Sequence, residues 1–252
     1  MALEQLEMTT GLNKVDFAIK LLRDYEPDEG YYLAFSGGKD SCVLYDIALK
    51  AGVKFDAHYN VSPIDPPPLF KFIRENYHDV QWDYHAKGFW KLVRQKGLPL
   101  RRKRWCCDLI KESGGSNRII VAGMRSSESK KRSKYNYVQS RIKSKTNKYV
   151  YVCPILSFTE YDIWQYIRLN NLSYCSLYDE GFKRLGCVLC PYSSDPQKEA
   201  ARFPEIARLW KRACDYIVQD TIERGNVDKR GNPIRNKFNS GQEMFDWWIS
   251  RK

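Results

Sequence analysis

The chain has 252 residues, of which 43% are hydrophobic, and a formal net charge of +12. This length and apolar fraction favour a soluble globular protein with one main α/β domain. No run of about 18 apolar residues occurs, and residues 1–22 are amphipathic and mixed in charge, so the sequence predicts neither a membrane span nor a secretory leader. We therefore expect a cytoplasmic protein that does not bind a membrane.

Strand and helix patterns alternate along most of the chain. The stretch "GYYLAF" predicts a short buried strand, and "SCVLYDIALKAG" after it predicts a helix that ends at Gly52. Further strands are predicted at "VKFDAHYNV", "VQWDYH" and "RIIVAGMR". Further helices are predicted at "PPPLFKFIRENYH", "GFWKLVRQKG" and "TEYDIWQYIRLNN", the last with Thr159 as its N-cap. The alternation predicts an α/β fold, a Rossmann-like three-layer sandwich with a mainly parallel central sheet.

The pattern changes after about Gly186. Two mostly helical stretches follow, "CPYSSDPQKEAARFPEIARLWKRACDYIVQDTIERG" and the Trp-rich "GQEMFDWWISRK". We expect a principal domain at residues 1–185, with residues 186–252 forming a cysteine loop and a C-terminal helical extension that packs on it.

The positive charge is concentrated between Arg125 and Lys148, where nine Lys and Arg residues face one Glu. One interpretation is a solvated basic loop, and the other is a surface for nucleic acid or for the phosphates of a nucleotide. Tyr135 and Tyr137 lie within this segment and could stack on bases.

A glycine loop, "SGGKDS", separates the first predicted strand from its helix. A strand that leads into a helix through such a loop directs free backbone N–H groups and the positive end of the helix dipole at one point, which favours an anion there. Two glycines allow a tight turn close to a phosphate, and the serine hydroxyls can donate hydrogen bonds. The loop matches neither the Walker sequence nor the dinucleotide fingerprint. An ordinary turn into a helix is the alternative interpretation.

The cysteines indicate metal or redox chemistry rather than a disulfide framework. Two are adjacent, Cys106 and Cys107, and two form a CxxC turn, Cys187 and Cys190. Adjacent ligands would need a tight turn or a helix start at Cys106. An iron-sulfur cluster, structural zinc in a Cys₄ site and unliganded buried thiols all remain open. The apolar surroundings of Cys42 and Cys153 predict core positions.

Several motifs resemble a known family. The loop is similar to the pyrophosphatase-type loop of the adenine nucleotide alpha hydrolase superfamily. From about Asn13 to Pro191 the chain resembles the phosphoadenosine phosphosulfate (PAPS) reductase family within it. The motifs that carry this resemblance are "YNVSPIDPPPLFKFI", "RWCCDLIK", "VAGMRSSESKKR", "CPILSFTEYDIWQYI" and "LYDEGFKRLGCVLCP".

The resemblance implies specific sites, and it makes residues 1–185 an adenine-nucleotide-binding domain. The nucleotide would bind at Ser36, Gly37, Gly38, Lys39, Asp40, Ser41, Gly123, Arg125, Glu128 and Arg132. Catalytic roles would fall to Lys39, Asp40 and Arg125, with Mg²⁺ accompanying ATP. Iron-sulfur members of the family imply a [4Fe-4S] cluster on Cys106, Cys107, Cys187 and Cys190, with zinc as the alternative.

The reductases that this chain resembles use a nucleophilic cysteine in a Glu-Cys-Gly-containing C-terminal tail, and the sequence shows no such tail. Its last cysteine, Cys214, lies inside a predicted helix. We therefore expect ATP-dependent sulfurtransferase or pyrophosphatase chemistry, in which an acceptor oxygen attacks the α-phosphorus. The alternatives are reduction of an adenylyl sulfate or PAPS with release of sulfite, and a non-catalytic protein that binds nucleotide or nucleic acid. The expected partners are an adenine nucleotide, a nucleic-acid acceptor at Arg125–Lys148 and a sulfur or electron donor protein, and a homodimer remains open.

Overall fold

The computed structural model describes residues 3, 11–142, 148–227, 230–232 and 238–250. Its helices are α1 (Lys14–Asp24), α2 (Lys39–Ala51), α3 (Pro67–Asn76), α4 (Phe89–Lys96), α5 (Glu160–Leu169), α6 (Pro196–Arg202), α7 (Pro204–Glu223) and α8 (Gly241–Ile249). Its strands are β1 (Tyr31–Phe35), β2 (Phe55–Asn60), β3 (Gln81–Asp83), β4 (Ile119–Ala122), β5 (Val138–Ile142) and β6 (Lys148–Val152).

The chain divides into two compact units. The first unit comprises residues 1–60, 67–83 and 113–185, and the second comprises 61–66, 84–112 and 186–252. One division between the units falls after residue 185, and the second unit also takes in two earlier segments. The assignment of residues 1–185 to one functional domain stays a prediction.

The first unit contains a six-stranded sheet in the order β3-β2-β1-β4-β6-β5. Five strands run parallel, and β5 pairs antiparallel with β6 at one edge. The predicted α/β, Rossmann-like class with a mainly parallel sheet is thus confirmed. The chain moves outward from β1 through β2 to β3 and then returns to place β4 on the other side of β1. Loops that follow β1 and β4 therefore emerge side by side, at the point where α/β folds usually bind ligands.

Apolar strand residues and helix ends agree with the sequence. Phe35 contacts Tyr45 of α2 at 5.8 Å between ring centroids, and Tyr59 contacts Phe70 of α3 at 6.0 Å. Helix α2 ends at Gly52, which has the left-handed φ of 68° that glycine adopts without strain. Helix α5 has Thr159 as its N-cap, as predicted, and Asp162 completes a capping box there.

The described part of the basic segment is more ordered than the solvated loop that was one of its two interpretations. Its described part contains short 3₁₀ turns at Ser126–Glu128 and Arg132–Lys134 and then strand β5, which pairs with β6. Residues 143–147 lie outside the described part. Tyr137 packs on Phe17 at 4.8 Å, and Tyr135 and Tyr137 both pack against a cluster of buried residues on the sheet. These contacts account for both rings without a nucleic-acid base.

The second unit has an aromatic core. Trp210 of α7 contacts Phe89 of α4 at 5.4 Å and Trp248 of α8 at 4.5 Å, and the Trp248 indole N–H donates to the Pro99 carbonyl at 2.9 Å. These contacts explain why the predicted C-terminal helices are rich in tryptophan. Within the described residues, no helix is long and apolar enough to cross a membrane.

Candidate functional site

The glycine loop and the segment after β4 lie next to each other in the first unit. The loop, Ser36–Ser41, connects β1 to α2, and Gly123 follows β4, the parallel neighbour of β1. A Cβ on Gly123 would lie 3.2 Å from the Asp40 carbonyl oxygen, so glycine permits this close approach. The fold therefore brings together the two sequence motifs that the resemblance assigned to the nucleotide.

The loop hydroxyls hold the loop itself. The Ser41 hydroxyl donates to the Gly38 carbonyl at 2.8 Å and accepts from the Ser36 N–H at 3.2 Å. The Ser36 hydroxyl lies 3.1 Å from that of Ser41 and 3.4 Å from the Gly38 nitrogen. Ser41 donates its one hydroxyl proton to Gly38, and Ser36 donates its own to Ser41, so both serines fix the turn. Either hydroxyl would have to break its bond within the loop to donate to a ligand.

The two loop glycines have different reasons to be glycine. Gly37 has a φ of 71°, and a Cβ there would lie 2.7 Å from methyl carbons of Leu69 and Ile73 in α3. Gly38 has an ordinary φ of −77°, and a Cβ there would meet only the Ser36 and Tyr178 hydroxyls, at 3.4 and 3.5 Å. The first glycine is required by packing, whereas only the second keeps the backbone clear for a ligand.

Two cations and two carboxylates form a cluster, Lys39, Arg125, Asp40 and Glu160, beside the loop. Arg125 is 4% exposed, and its guanidinium donates to Asp40 at 2.5 Å and to Glu160 at 2.8 Å. The ammonium of Lys39, which is 3% exposed, lies 3.2 Å from Glu160 and 3.7 Å from Asp40. The predicted catalytic residues Lys39, Asp40 and Arg125 are therefore adjacent, and both buried cations are paired with carboxylates, of which Glu160 is exposed.

Glu128 and Arg132 brace the loop after β4. The Glu128 carboxylate accepts from the Arg125 N–H at 2.9 Å and forms an ion pair with Arg132. The Arg125 side chain also donates to the Ser127 hydroxyl at 3.0 Å. These bonds orient Arg125, and contact of Glu128 or Arg132 with a nucleotide stays a prediction.

Tyr178 caps the first turn of α2. Its hydroxyl accepts a hydrogen bond from the Lys39 N–H at 3.0 Å, and its ring lies 5.1 Å from the Lys39 ammonium. The same ammonium donates to the Lys183 carbonyl at 3.2 Å. Burial raises the pKa of the Tyr178 hydroxyl, so it stays neutral at physiological pH. One of the N–H groups expected to bind an anion is thus already in use.

The four spaced cysteines line one small cavity in the second unit, with a volume of about 20 Å³. A π-helical turn at Cys107–Lys111 begins directly after Cys106, which is the kind of helix start that adjacent ligands would need. The CxxC turn closes with a hydrogen bond from the Cys190 N–H to the Cys187 carbonyl at 3.3 Å. Glu199 holds this turn, accepting from the Leu189 N–H at 2.6 Å and from the Ser193 hydroxyl at 2.7 Å.

The groups around the cavity shift the pKa values of the thiols in different directions. A hydrogen bond from Cys106 and the nearby Arg104 guanidinium lower the pKa of Cys107, and the same hydrogen bond raises the pKa of Cys106. Burial raises the pKa of Cys187, beside the buried Asp65–Lys111 ion pair. These contacts favour the thiolate form of Cys107, which is the form that binds metal.

The donor set fits a thiolate-bound metal, but the coordination geometry is not formed. Across the described residues, no group of three or more His, Cys, Asp or Glu side chains is arranged to hold a metal ion. A cavity of this volume accommodates about one water-sized atom. A four-iron cluster would require the thiols to move outward.

The other four cysteines are buried, as the sequence predicted for Cys42 and Cys153. Cys214 is 0% exposed within α7, and burial raises its pKa to about 12. A protonated, inaccessible thiol is a poor nucleophile.

Two residues of the site were missed by the sequence analysis, Glu160 and Tyr178. Glu160 follows an N-cap, where a carboxylate is explained by the helix dipole alone. Tyr178 lies in the motif "LYDEGF", but its contact with Lys39 spans 139 residues, and the sequence holds no local signal for it.

Comparison with known proteins gives a family and a fold. Residues 30–193, well over half of the chain, match the family model described as the phosphoadenosine phosphosulfate reductase domain. An uncharacterized protein of Methanocaldococcus jannaschii is 29% identical over 219 residues, covering 78% of this chain and 44% of that protein. An adenosine 5'-phosphosulfate reductase of Oceanobacillus iheyensis is 37% identical over 136 residues, covering 54% of this chain and 53% of that enzyme. This chain thus spans about half the length of these curated relatives.

Solved structures share the fold at low identity. The phosphoadenylyl-sulfate reductase of Candida auris aligns with a TM-score of 0.52 at 15% identity, covering 71% of this chain and 90% of that one. The FMN adenylyltransferase of Candida glabrata aligns with a TM-score of 0.52 at 17% identity, covering 69% and 62%.

Proposed function

This chain belongs to the phosphoadenosine phosphosulfate reductase domain family, and from that membership we propose that it is an adenine-nucleotide-binding enzyme of sulfur metabolism. The observation that carries the proposal is the position of the glycine loop. It lies at the start of α2, at the point where the strand order reverses, with Lys39 and Arg125 beside it. Helix N-termini at such points favour phosphate groups.

The loop residues would divide the work of binding a nucleotide. The backbone at Gly38 has no side chain to keep a phosphate away, and the dipole of α2 favours negative charge there. Lys39 and Arg125 would supply positive charge, which the protein currently shares with Asp40 and Glu160. Magnesium would arrive with ATP.

For the reaction, we propose first an ATP-dependent activation. An acceptor oxygen attacks the α-phosphorus, the bond to the β-phosphate oxygen breaks, and pyrophosphate leaves with that electron pair. Lys39 and Arg125 would stabilise the negative charge that develops on the transferred and leaving groups. A sulfur nucleophile then displaces AMP from the activated acceptor. This chemistry requires no nucleophilic cysteine beside the loop, and it is compatible with the burial of Cys214.

A second candidate is reduction of adenylyl sulfate or PAPS, favoured by the reductase names of the curated relatives. In that reaction a thiolate attacks the sulfur, the nucleotide leaves, and a second thiol releases sulfite while a disulfide forms. The buried Cys214 is unsuited to the first step. We therefore assign the attacking thiol to an external donor if this candidate holds.

We also propose that Cys106, Cys107, Cys187 and Cys190 hold a metal centre, a [4Fe-4S] cluster in first place and zinc as the alternative. The proposal is supported by the four thiols around one cavity, and by the hydrogen bond from Cys106 and the Arg104 guanidinium, which lower the pKa of Cys107. A bound cluster would supply sulfur or electron handling, whereas zinc would supply structural stability. Iron and zinc analysis of anaerobically purified protein, with its visible spectrum, separates the two.

A nucleic-acid acceptor remains a proposal for the basic segment. Its exposed cations include Lys130, Lys131 and Lys134, beside the loop after β4. Binding that weakens steeply with salt would support it, and binding that is absent even at low salt would remove it.

The experiment that tests the function is anaerobic incubation with Mg²⁺-ATP and, separately, with adenylyl sulfate or PAPS. AMP and pyrophosphate from ATP would support activation. Sulfite with AMP or adenosine 3',5'-bisphosphate in the presence of a thiol would support reduction. Nucleotide binding without turnover would leave the non-catalytic alternative, and no binding of any of the three would contradict the proposal.

A further inference from the structure

Glu160 occupies the place of an anion between the two cations of the site. Its two carboxylate oxygens contact different partners, Oε1 at 3.2 Å from the Lys39 ammonium and Oε2 at 2.8 Å from the Arg125 guanidinium. A carboxylate that bridges a lysine and an arginine has the charge and the bonding pattern of a phosphate oxygen pair.

Tyr178 occupies a second such place. Its hydroxyl oxygen accepts the Lys39 N–H in the first turn of α2, 3.0 Å away, where a phosphate oxygen would accept it. A Cβ on Gly38 would lie 3.5 Å from the same hydroxyl, so the tyrosine lies directly over the open part of the loop.

We propose that the free protein keeps its anion site filled by these two side chains, and that a phosphate-bearing ligand must displace both to bind. The inference rests on the proposed function of the loop and adds a conformational step to it. Glu160 and Tyr178 then set the affinity of the site, because each competes with the ligand for the same donors.

Glu160 has room to leave, and the turn that carries Tyr178 borders open space. The Glu160 side chain is 55% exposed, in the first turn of α5, and can rotate into solvent. Tyr178 ends a short turn, Ser176–Tyr178, and Ser176 of this turn borders an open groove of about 480 Å³. Leu177 anchors the turn in the core, so displacement of the Tyr178 hydroxyl would be a local shift at the end of the turn.

Trp164 can report the displacement. Its indole N–H donates to the Glu160 carboxylate at 3.3 Å, and its ring lies edge-on to Tyr178 at 5.2 Å between centroids. The loss of both neighbours changes the polarity around one indole. The Trp164→Phe variant identifies this signal among the seven tryptophans of the chain.

The test is titration of the full chain with inorganic pyrophosphate and with Mg²⁺-ATP, followed by calorimetry and tryptophan fluorescence. Glu160→Gln removes the competing charge and should tighten binding about tenfold. Tyr178→Phe leaves the Lys39 N–H without its acceptor in the free protein and should also tighten binding about tenfold.

Two control variants match these changes. Asp179→Asn removes a carboxylate whose partner is the Tyr174 hydroxyl, at 3.1 Å, and Tyr174→Phe removes that hydroxyl from the other tyrosine beside Trp164. Both controls should bind as the wild type does. Tightening in Glu160→Gln and Tyr178→Phe alone, with a Trp164 signal on binding, supports the inference.

Different results would overturn the displacement step and the proposed nucleotide binding by the loop. Wild-type binding with no Trp164 signal and no tightening in either variant overturns the displacement inference and leaves the proposed function intact. Absence of binding in the wild type and in both variants overturns the inference and the proposed function together.

Discussion

The Arg125 guanidinium contacts the Asp40 carboxylate, with 2.5 Å between Nε and Oδ1, although 85 residues separate them in the chain. The contact joins the segment after β4 to the first turn of α2. Because Arg125 also binds Glu160 and Ser127, one guanidinium organises three parts of the first unit. A planar group with several donors can do this, and a lysine ammonium cannot.

Replacement of Arg125 by lysine should slow the proposed reaction. The substitution keeps the charge but loses the simultaneous contacts with Asp40, Glu160 and Ser127, so AMP formation from ATP should fall about 100-fold. Arg168→Lys, at the exposed end of α5, is the control and should be near wild type. Equal rates for Arg125→Lys and wild type would contradict the assigned role.

The second prediction concerns the two loop conformations that require glycine. Gly37→Ala combines a positive φ with overlap against Leu69 and Ile73, and we expect a loss of about 3 kcal/mol in the free energy of unfolding. Gly52→Ala has a similar φ of 68° but nothing within 4 Å, and should lose about 1 kcal/mol. Urea unfolding measures both, and equal losses would refute the packing argument.

The third prediction concerns the buried pair of Lys14 and Asp162, 2.5 Å apart. Burial alone would raise the Asp162 pKa, but hydrogen bonds from Lys14 and Thr159 outweigh it and lower that pKa. The carboxylate therefore stabilises the fold above its ordinary pKa, and this contribution disappears as the pH falls through the lowered value.

Asp162→Asn should accordingly reduce the free energy of unfolding by about 3 kcal/mol at pH 7, with the difference from wild type narrowing below about pH 4. The exposed pair Lys20–Asp24 serves as the control, and Asp24→Asn should change stability by less than about 1 kcal/mol. If the stability difference between wild type and Asp162→Asn grew as the pH fell, the Asp162 pKa would be raised in the folded protein rather than lowered.

The fourth prediction concerns the metal centre. Cys187→Ser should lose most of the bound iron or zinc, because it removes one of four thiols around the cavity. Cys214→Ser changes a cysteine buried in α7 and should retain the metal. Metal analysis after anaerobic purification gives the amount of iron or zinc per chain in each variant. Full retention of metal in Cys187→Ser would exclude that residue as a ligand.

Local patterns explain which elements could be predicted. The apolar run of β1, the Gly52 stop and the Thr159 cap each depend on a few adjacent residues, and all were predicted. Strand β5 was not predicted, because its every-second-residue pattern of Val138, Ser140 and Ile142 lies within a run of basic residues. The charge suggested a loop, whereas pairing with β6 determined the structure.

The parts of the candidate site that lie within recognisable sequence motifs could be predicted. The glycine loop and the segment after β4 were identified, and the fold brings them together. Glu160 and Tyr178 were not, because their roles depend on contacts across 35 and 139 residues. Segments 61–66 and 84–112 also join the second unit through tertiary contacts that sequence patterns do not encode.

The most direct test of the central claim, that the glycine loop binds the phosphates of an adenine nucleotide, is the affinity of Gly38→Ala for Mg²⁺-ATP and adenylyl sulfate. The added methyl group meets no atom closer than 3.4 Å, so stability should stay within about 1 kcal/mol of wild type. In the proposed binding mode, the same methyl group would stand between the Gly38 backbone and a phosphate. We predict that the wild type binds both nucleotides and that Gly38→Ala binds them about tenfold more weakly. Equal affinity in both proteins, or no binding by the wild type, would contradict the account.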